Sequence, residues 1–184
     1  MEKFYSNDYL KQLRGLHNKK SFGDRPDYSK FKKWIDKFSP TSIIDYGCGK
    51  GNLVESLQQE YSIVHGYDPA IEKFANIPNN EYDFLLSTDV LEHIEYDYVD
   101  SVLSHMGTLF TKGAYIIIAT TPAKNILPDG RNAHLIQEGP DWWRDKIKQH
   151  MNVKFVYQKH KTRSRYDNNV SVPNNRYIVV LEKQ

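Results

Sequence analysis

Residues 43–51 read IIDYGCGKG: an apolar run ends in an acid, and glycines follow at 47, 49 and 51. No other stretch restricts the folding of this chain as strongly. The apolar residues suit a short buried strand. Glycine at alternate positions suits a turn whose main chain is approached closely by something else. The next residues, NLVESLQQEY (52–61), predict a helix with Asn52 as its N-cap and Leu53, Val54 and Leu57 on its apolar face. Strand, glycine turn and helix together open a sheet that binds ligands beyond the carboxyl ends of its strands.

The remaining sequence repeats that alternation. PDYSKFKKWIDKF (26–38) places Phe31, Trp34, Ile35 and Phe38 on one helical face, and Ser39-Pro40 ends it. SIVHGYD (62–68), YDFLLST (82–88) and AYIIIATTP (114–122) read as strands. DYVDSVLSHMGTLF (97–110) reads as a helix closed by Gly113, and DWWRDKIKQH (141–150) as a further helix. VKFVYQ (153–158) and RYIVVLEK (176–183) pair as a final antiparallel hairpin. The expected fold is α/β: a doubly wound, mostly parallel sheet with a C-terminal antiparallel hairpin. One domain over 1–184 is expected, with residues 1–26 as a helical cap. Within that cap Tyr5, Tyr9, Arg14, His17 and Phe22 are placed to close over the mouth of the sheet.

Composition narrows the class. Hydrophobic residues make up 39% of the chain, enough for a core. No apolar run reaches the ~20 residues that would span a membrane. The polar N-terminus lacks a signal-peptide pattern, and the single cysteine, Cys48, cannot form an internal disulfide framework. A cytoplasmic setting, as a monomer or homodimer, fits these features. Residues 52–100 hold eleven acids against one lysine, whereas 101–184 hold thirteen basic residues against six acids. The densest basic stretch, KHKTRSR (159–165), reads as a solvated loop.

The glycine turn admits three readings. A phosphate-binding loop needs a hydroxyl after Gly-Lys, and here Gly49-Lys50 is followed by Gly51. A dinucleotide fingerprint needs two residues before its last glycine, and this turn has one. The shorter form suits a ligand that lies across the turn and places no phosphate on a helix N-terminus.

IIDYGCGKGN, then VHGYDP, then YDFLLSTDVLEHI together resemble the class I S-adenosylmethionine-dependent methyltransferases, over roughly residues 27–184. That resemblance implies a Rossmann-like fold, with S-adenosylmethionine as cofactor. It implies cofactor contacts at Asp45, Gly47, Cys48, Gly49, Gly51, Asp68 and Pro69. Asp45 would serve the methionine amino group. Asp68, at a strand end seventeen residues past Gly51, could accept hydrogen bonds from both ribose hydroxyls. Only thirteen residues separate Asp68 from Tyr82. The edge strand of the family, and the acid that ends it, have no room there. Adenine is then left to backbone and to residues such as Ile71, Ser87 and Thr88, in a more open pocket, and Asp89, after the third strand on the methyl side, completes the implied cofactor contacts.

Methyl transfer asks an enzyme to align a nucleophile and, for some acceptors, to remove a proton. His93, in DVLEHI, and His134, in the long segment 120–143, are the candidate bases. Asp129 and Arg131 could hold a polar acceptor, and one of Trp142 and Trp143 could wall its site. Motifs for DNA amino or cytosine C5 methylation are lacking. Asp89 alone does not make a catechol-type metal site, and no metal is expected. A small-molecule O- or N-acceptor is the favoured partner. The alternatives are a nucleic-acid acceptor gripped by residues 159–165, and a module that binds the cofactor without transferring methyl.

Overall fold

The computed structural model describes residues 4–18, 22–23, 27–167 and 169–184. Its main sheet has six strands: β1 (Ser42–Tyr46), β2 (Ile63–Tyr67), β3 (Tyr82–Thr88), β4 (Phe110–Ala119), β5 (Val153–Lys161) and β8 (Arg176–Lys183). Their order is β2-β1-β3-β4-β8-β5. β1 to β4 are parallel, and β8 runs antiparallel to both β4 and β5. The helices are α1 (Asn7–His17), α2 (Lys32–Phe38), α3 (Asn52–Leu57), α4 (Val99–Thr108) and α5 (Pro140–His150). β6 (Ser164–Asp167) and β7 (Val170–Pro173) form a separate two-stranded arm.

Alternation along the strands divides the core in two. Ile44, Leu85, Ile116 and Ile118 join Leu103 and Met106 of α4 and Trp143 and Ile147 of α5 on one face. Ile43, Phe84, Leu86 and Ile117 join Phe31 of the turn before α2, Ile35 of α2, and Leu53 and Leu57 of α3 on the other. The sheet is therefore covered on both sides, as its near-continuous apolar runs demand. Between β2 and β3 there is a single 3₁₀ turn, Glu72–Phe74, and no strand, so β2 is the sheet edge.

The first helix keeps its own cap. The Ser6 hydroxyl accepts from the Tyr9 amide and donates to Glu95 at 2.9 Å, which ties α1 to the segment after β3.

Several expectations are corrected. The helix expected from residue 26 begins only at Lys32, because Tyr28 to Phe31 form a preceding turn in which the Phe31 amide bonds the Tyr28 carbonyl. Gly51, not Asn52, is the N-cap of α3. Gly113 does not close α4; it lies within β4, where an added Cβ would stand 2.7 Å from the Phe38 ring. Residues 159–165 are mostly strand: β5 runs to Lys161 and β6 starts at Ser164. The strand expected over 153–158 thus runs three residues further, and the run of basic and polar residues hid that extension and β6 from a reading based on hydrophobic periodicity.

Candidate active site

The order β2-β1-β3 places a reversal of strand order at β1, where such sheets hold ligands. A cavity of about 400 Å³ lies there, at the carboxyl ends of β1, β2 and β3. Its floor is the turn after β1. An added Cβ on Gly49 (φ 55°) would stand 2.4 Å from the Gly23 carbonyl oxygen, and one on Gly47 would stand 2.3 Å from the Val90 side chain. Gly23 also accepts a hydrogen bond from the Lys50 amide at 2.9 Å. The cap segment is thus seated directly on bare main chain.

Asp68 follows β2 and is 5% exposed. One carboxylate oxygen accepts from the Gly49 amide (3.0 Å) and the other from the Ala70 amide (2.9 Å). His17 of α1 brings Nε2 to 3.7 Å from the same carboxylate. Burial pushes the Asp68 carboxyl up and the His17 imidazole down, and each group partly counters the other.

Four rings cross the cavity from this point. His17 meets Phe22 (5.0 Å between centroids), Phe22 meets His93 (5.6 Å), and His93 meets His134 (4.8 Å, 83° between planes). His93 and His134 are oriented through Nδ1. His93 Nδ1–H donates to the Ala133 carbonyl at 2.6 Å, and His134 Nδ1–H to the Thr121 carbonyl at 2.5 Å. A carbonyl can only accept, so the proton sits on Nδ1 and the lone pair on Nε2 of each ring. Burial and the neighbouring His134 lower the His93 pKa to about 3, and burial also lowers that of His134. Both rings are therefore neutral near pH 7.

Glu92 lies beside them, fully buried, with its Oε1 at 3.9 Å from His134 Nε2. Burial, with Asp89 nearby, raises its pKa well above the usual carboxylate range. Asp89 itself has φ 56°, a strained value for a non-glycine residue, and pairs with Arg176 of β8 at 2.5 Å.

The cavity gathers Asp45, Gly47, Cys48, Gly49, Asp68, Pro69, Thr88, Asp89, His93 and His134, together with Tyr5, Tyr9, His17 and Phe22 of the cap. The Cys48 thiol is buried, and burial with the Asp45 and Asp68 carboxylates pushes its pKa far up, which removes it as a nucleophile. Other candidates lie outside the lining. Gly51 starts α3, the Ile71 amide bonds the Asp68 carbonyl, and Ser87 is wholly buried in β3. Asp129 and Arg131 pair with each other on the surface, and Asp129 also accepts from Gln12. Trp143 is fully buried in the core, and Trp142 packs edge-on to Tyr96. Arg14 also lies outside the lining.

The sequence reading missed Tyr46, Tyr67 and Arg176, which line the cavity. Tyr46 and Tyr67 are register partners on adjacent strands, each next to a candidate acid. Matching IIDYG against HGYDP could have found them. No local signal links Arg176 to Asp89.

Residues 22–160 match the family described as a methyltransferase domain. No curated protein matches the chain significantly in sequence. Among solved structures, the fold is similar to TehB from Haemophilus influenzae, at 17% identity over 90% of this chain and 65% of that one, with TM-score 0.64. The chain thus spans slightly less than two thirds of TehB. It is also similar to magnesium protoporphyrin IX methyltransferase from Synechocystis PCC 6803 with bound S-adenosylmethionine, at 16% identity over 97% and 99% of the two chains, TM-score 0.62. A third is 1,6-didemethyltoxoflavin-N1-methyltransferase from Burkholderia thailandensis, at 12% identity over 96% and 89%, TM-score 0.64. With the family match spanning the glycine turn, the acid after β2 and both histidines, the chain belongs to the class I S-adenosylmethionine-dependent methyltransferases.

Proposed function

We propose that this enzyme methylates an oxygen or nitrogen of a small polar acceptor bound at the His93–His134 end of the cavity. One observation carries the reading: a single cavity joins Asp68 and glycine main chain at one end to the imidazoles of His93 and His134 at the other, each with Nδ1 bonded to a backbone carbonyl.

The first end fits S-adenosylmethionine. The cavity has the volume of an ordinary ligand site. A carboxylate offers about four lone-pair sites, and the Gly49 and Ala70 amides use two, which leaves capacity for both ribose hydroxyls. Gly47 and Gly49 line the cavity with main chain, and Asp45, 2% exposed at the end of β1, is placed for the amino group. The cofactor supplies an activated methyl on sulfur. The protein supplies alignment and dryness: α1, Phe22 and Gly23 cover the cavity, and the two Nε2 atoms orient the acceptor's hydroxyl or amine hydrogen.

The test is transfer of labelled methyl from S-adenosylmethionine to fractionated metabolites. Transfer should fall sharply in His134→Ala and His93→Ala while S-adenosylhomocysteine affinity is kept. Clear binding without transfer to any fraction would favour the non-catalytic module.

A second reading draws on the basic strands. Lys161 has its pKa lowered chiefly by Arg163, with Lys159 adding to the crowding, and Arg165 lines the cavity. Such unrelieved positive charge supports an acceptor that is anionic, up to a nucleic-acid end. Salt-sensitive retention on RNA or DNA at low ionic strength would favour it, and no retention would remove it.

A further inference from the structure

We propose that Glu92, His93 and His134 form a binding site for one divalent transition-metal ion at the acceptor end of the cavity. The proposal deepens the methyl-transfer reading and rests on it: with the ion bound, the two Nε2 lone pairs hold the metal, and the metal in place of the imidazoles holds the acceptor. Three observations support it.

The first is convergence. One donor atom from each residue lies within 4.8 Å of the other two, and His134 Nε2 is 3.9 Å from Glu92 Oε1. Donors on a tetrahedral ion with bonds near 2.1 Å stand about 3.4 Å apart, so modest side-chain movement closes the site. The second is tautomer control. Each Nδ1–H is fixed by a backbone carbonyl, which presents Nε2 as the ligating atom; metal-binding histidines are held in this way.

The third is the orphaned carboxyl. Glu92 is fully buried, and among the described residues neither oxygen has a hydrogen-bond partner of good geometry. The amides of Glu92 itself and of Ala119 approach it without reaching hydrogen-bond geometry. A cation held by Glu92 and two imidazoles would satisfy it. The Arg176 guanidinium does not take this role, because it pairs with Asp89. The backbone supports the arrangement: the Ile136 amide bonds the Glu92 carbonyl at 3.0 Å, fixing the His134 segment against the turn that carries Glu92 and His93.

Two nitrogens and one oxygen suit Zn²⁺, Co²⁺, Fe²⁺ or Mn²⁺ better than Mg²⁺ or Ca²⁺, which prefer all-oxygen sets. His93 and His134 line the cavity, so the coordination positions left open face the acceptor. A hydroxyl bound there would lose its proton to water at lower pH. Its oxygen would then form the new bond to the methyl carbon. The sulfur–methyl bond breaks, its electron pair stays on sulfur, and a neutral thioether leaves.

The experiment is a Co²⁺ titration of the full chain after chelator treatment, followed by visible absorption and calorimetry. One equivalent should bind, with ligand-field bands of a nitrogen–oxygen site, and Zn²⁺ should displace it. Glu92→Gln and His134→Asn should each weaken binding by about tenfold or more. No stoichiometric binding overturns the proposal, as does binding that both variants leave unchanged. Should a variant fail to fold, the wild-type absorption spectrum decides alone. S-adenosylhomocysteine titrated into the metal-free chain separates the two readings. If it binds and Co²⁺ does not, the metal site is wrong and the methyltransferase reading stands. If it binds with neither metal-free nor metal-loaded protein, the cofactor reading fails.

Discussion

Substituting alanine for Gly49 tests the seating of the cap on the glycine turn. Two costs arise. A residue other than glycine at φ 55° is strained, by about 1 kcal/mol. The new methyl also stands 2.4 Å from the Gly23 carbonyl oxygen, a backbone atom that cannot rotate away. Gly23 must move, which breaks its hydrogen bond from the Lys50 amide, worth about 1 kcal/mol. The sum is about 2 kcal/mol, or a Tm loss of roughly 4–8 °C for a chain of this size. Gly130→Ala is the matched control. Gly130 has φ 88°, and an added Cβ there meets nothing within 4 Å, so it carries strain without collision. Its loss should be about 1 kcal/mol, roughly 2–4 °C. Calorimetric melts of both variants, with S-adenosylhomocysteine titrations, measure the difference. Gly49→Ala should also abolish binding, while Gly130→Ala keeps it. Equal Tm losses would refute the contact between Gly23 and the turn.

Asp68→Asn should weaken S-adenosylhomocysteine by about 1.5–3 kcal/mol, because hydrogen bonds to a charged acceptor are lost; an unchanged calorimetric Kd would reject the ribose assignment. Trp143→Ala should cost about 3–5 kcal/mol in urea unfolding, as a truncation in a closed core, whereas Trp142→Ala should cost far less. Asp83 has its pKa lowered to about 2 by the Thr41 amide and hydroxyl and by Lys112. A carboxylate depressed in the folded state adds stability above its unfolded value near 4, and loses it as pH falls from there towards about 2. Urea midpoints of wild type and Asp83→Asn should therefore differ at pH 7 and converge near pH 2; a constant gap would contradict this. His17→Ala should speed release of S-adenosylhomocysteine in stopped flow, since α1 covers the cavity; an unaltered off-rate would show that the helix is not the cover.

The parts legible in sequence were those set by local periodicity or by counting. YDFLLST coincides with β3, because its apolar residues face both covered sides of the sheet. The lost edge strand follows from the interval between Asp68 and Tyr82, too short for a strand and a helix. The last residues of β5, 159–161, and the whole of β6 escaped notice, since half-exposed polar positions carry little hydrophobic signal. What no window of sequence contains is contact across the fold. Glu92 and His134 are separated by a helix, a strand and a long loop, and their approach depends on the Ile136–Glu92 hydrogen bond. Asp89 was read as a cofactor residue, and its pairing with Arg176 needed β8 to return beside β4.

The lost strand has a bearing on self-association. Removing a border strand exposes the hydrogen-bonding row of its neighbour, the template on which foreign chains polymerise. Here the newly outermost strand, β2, is five residues long, and the Gln58 side-chain amide donates to its Val64 carbonyl at 3.2 Å. Ile63, at 48% exposure, is its one large apolar residue open to solvent. So brief a border gives an intruding strand few bonds with which to offset the entropy of joining two molecules. Brevity and one glutamine stand in for the barrier that a complete sheet would have supplied.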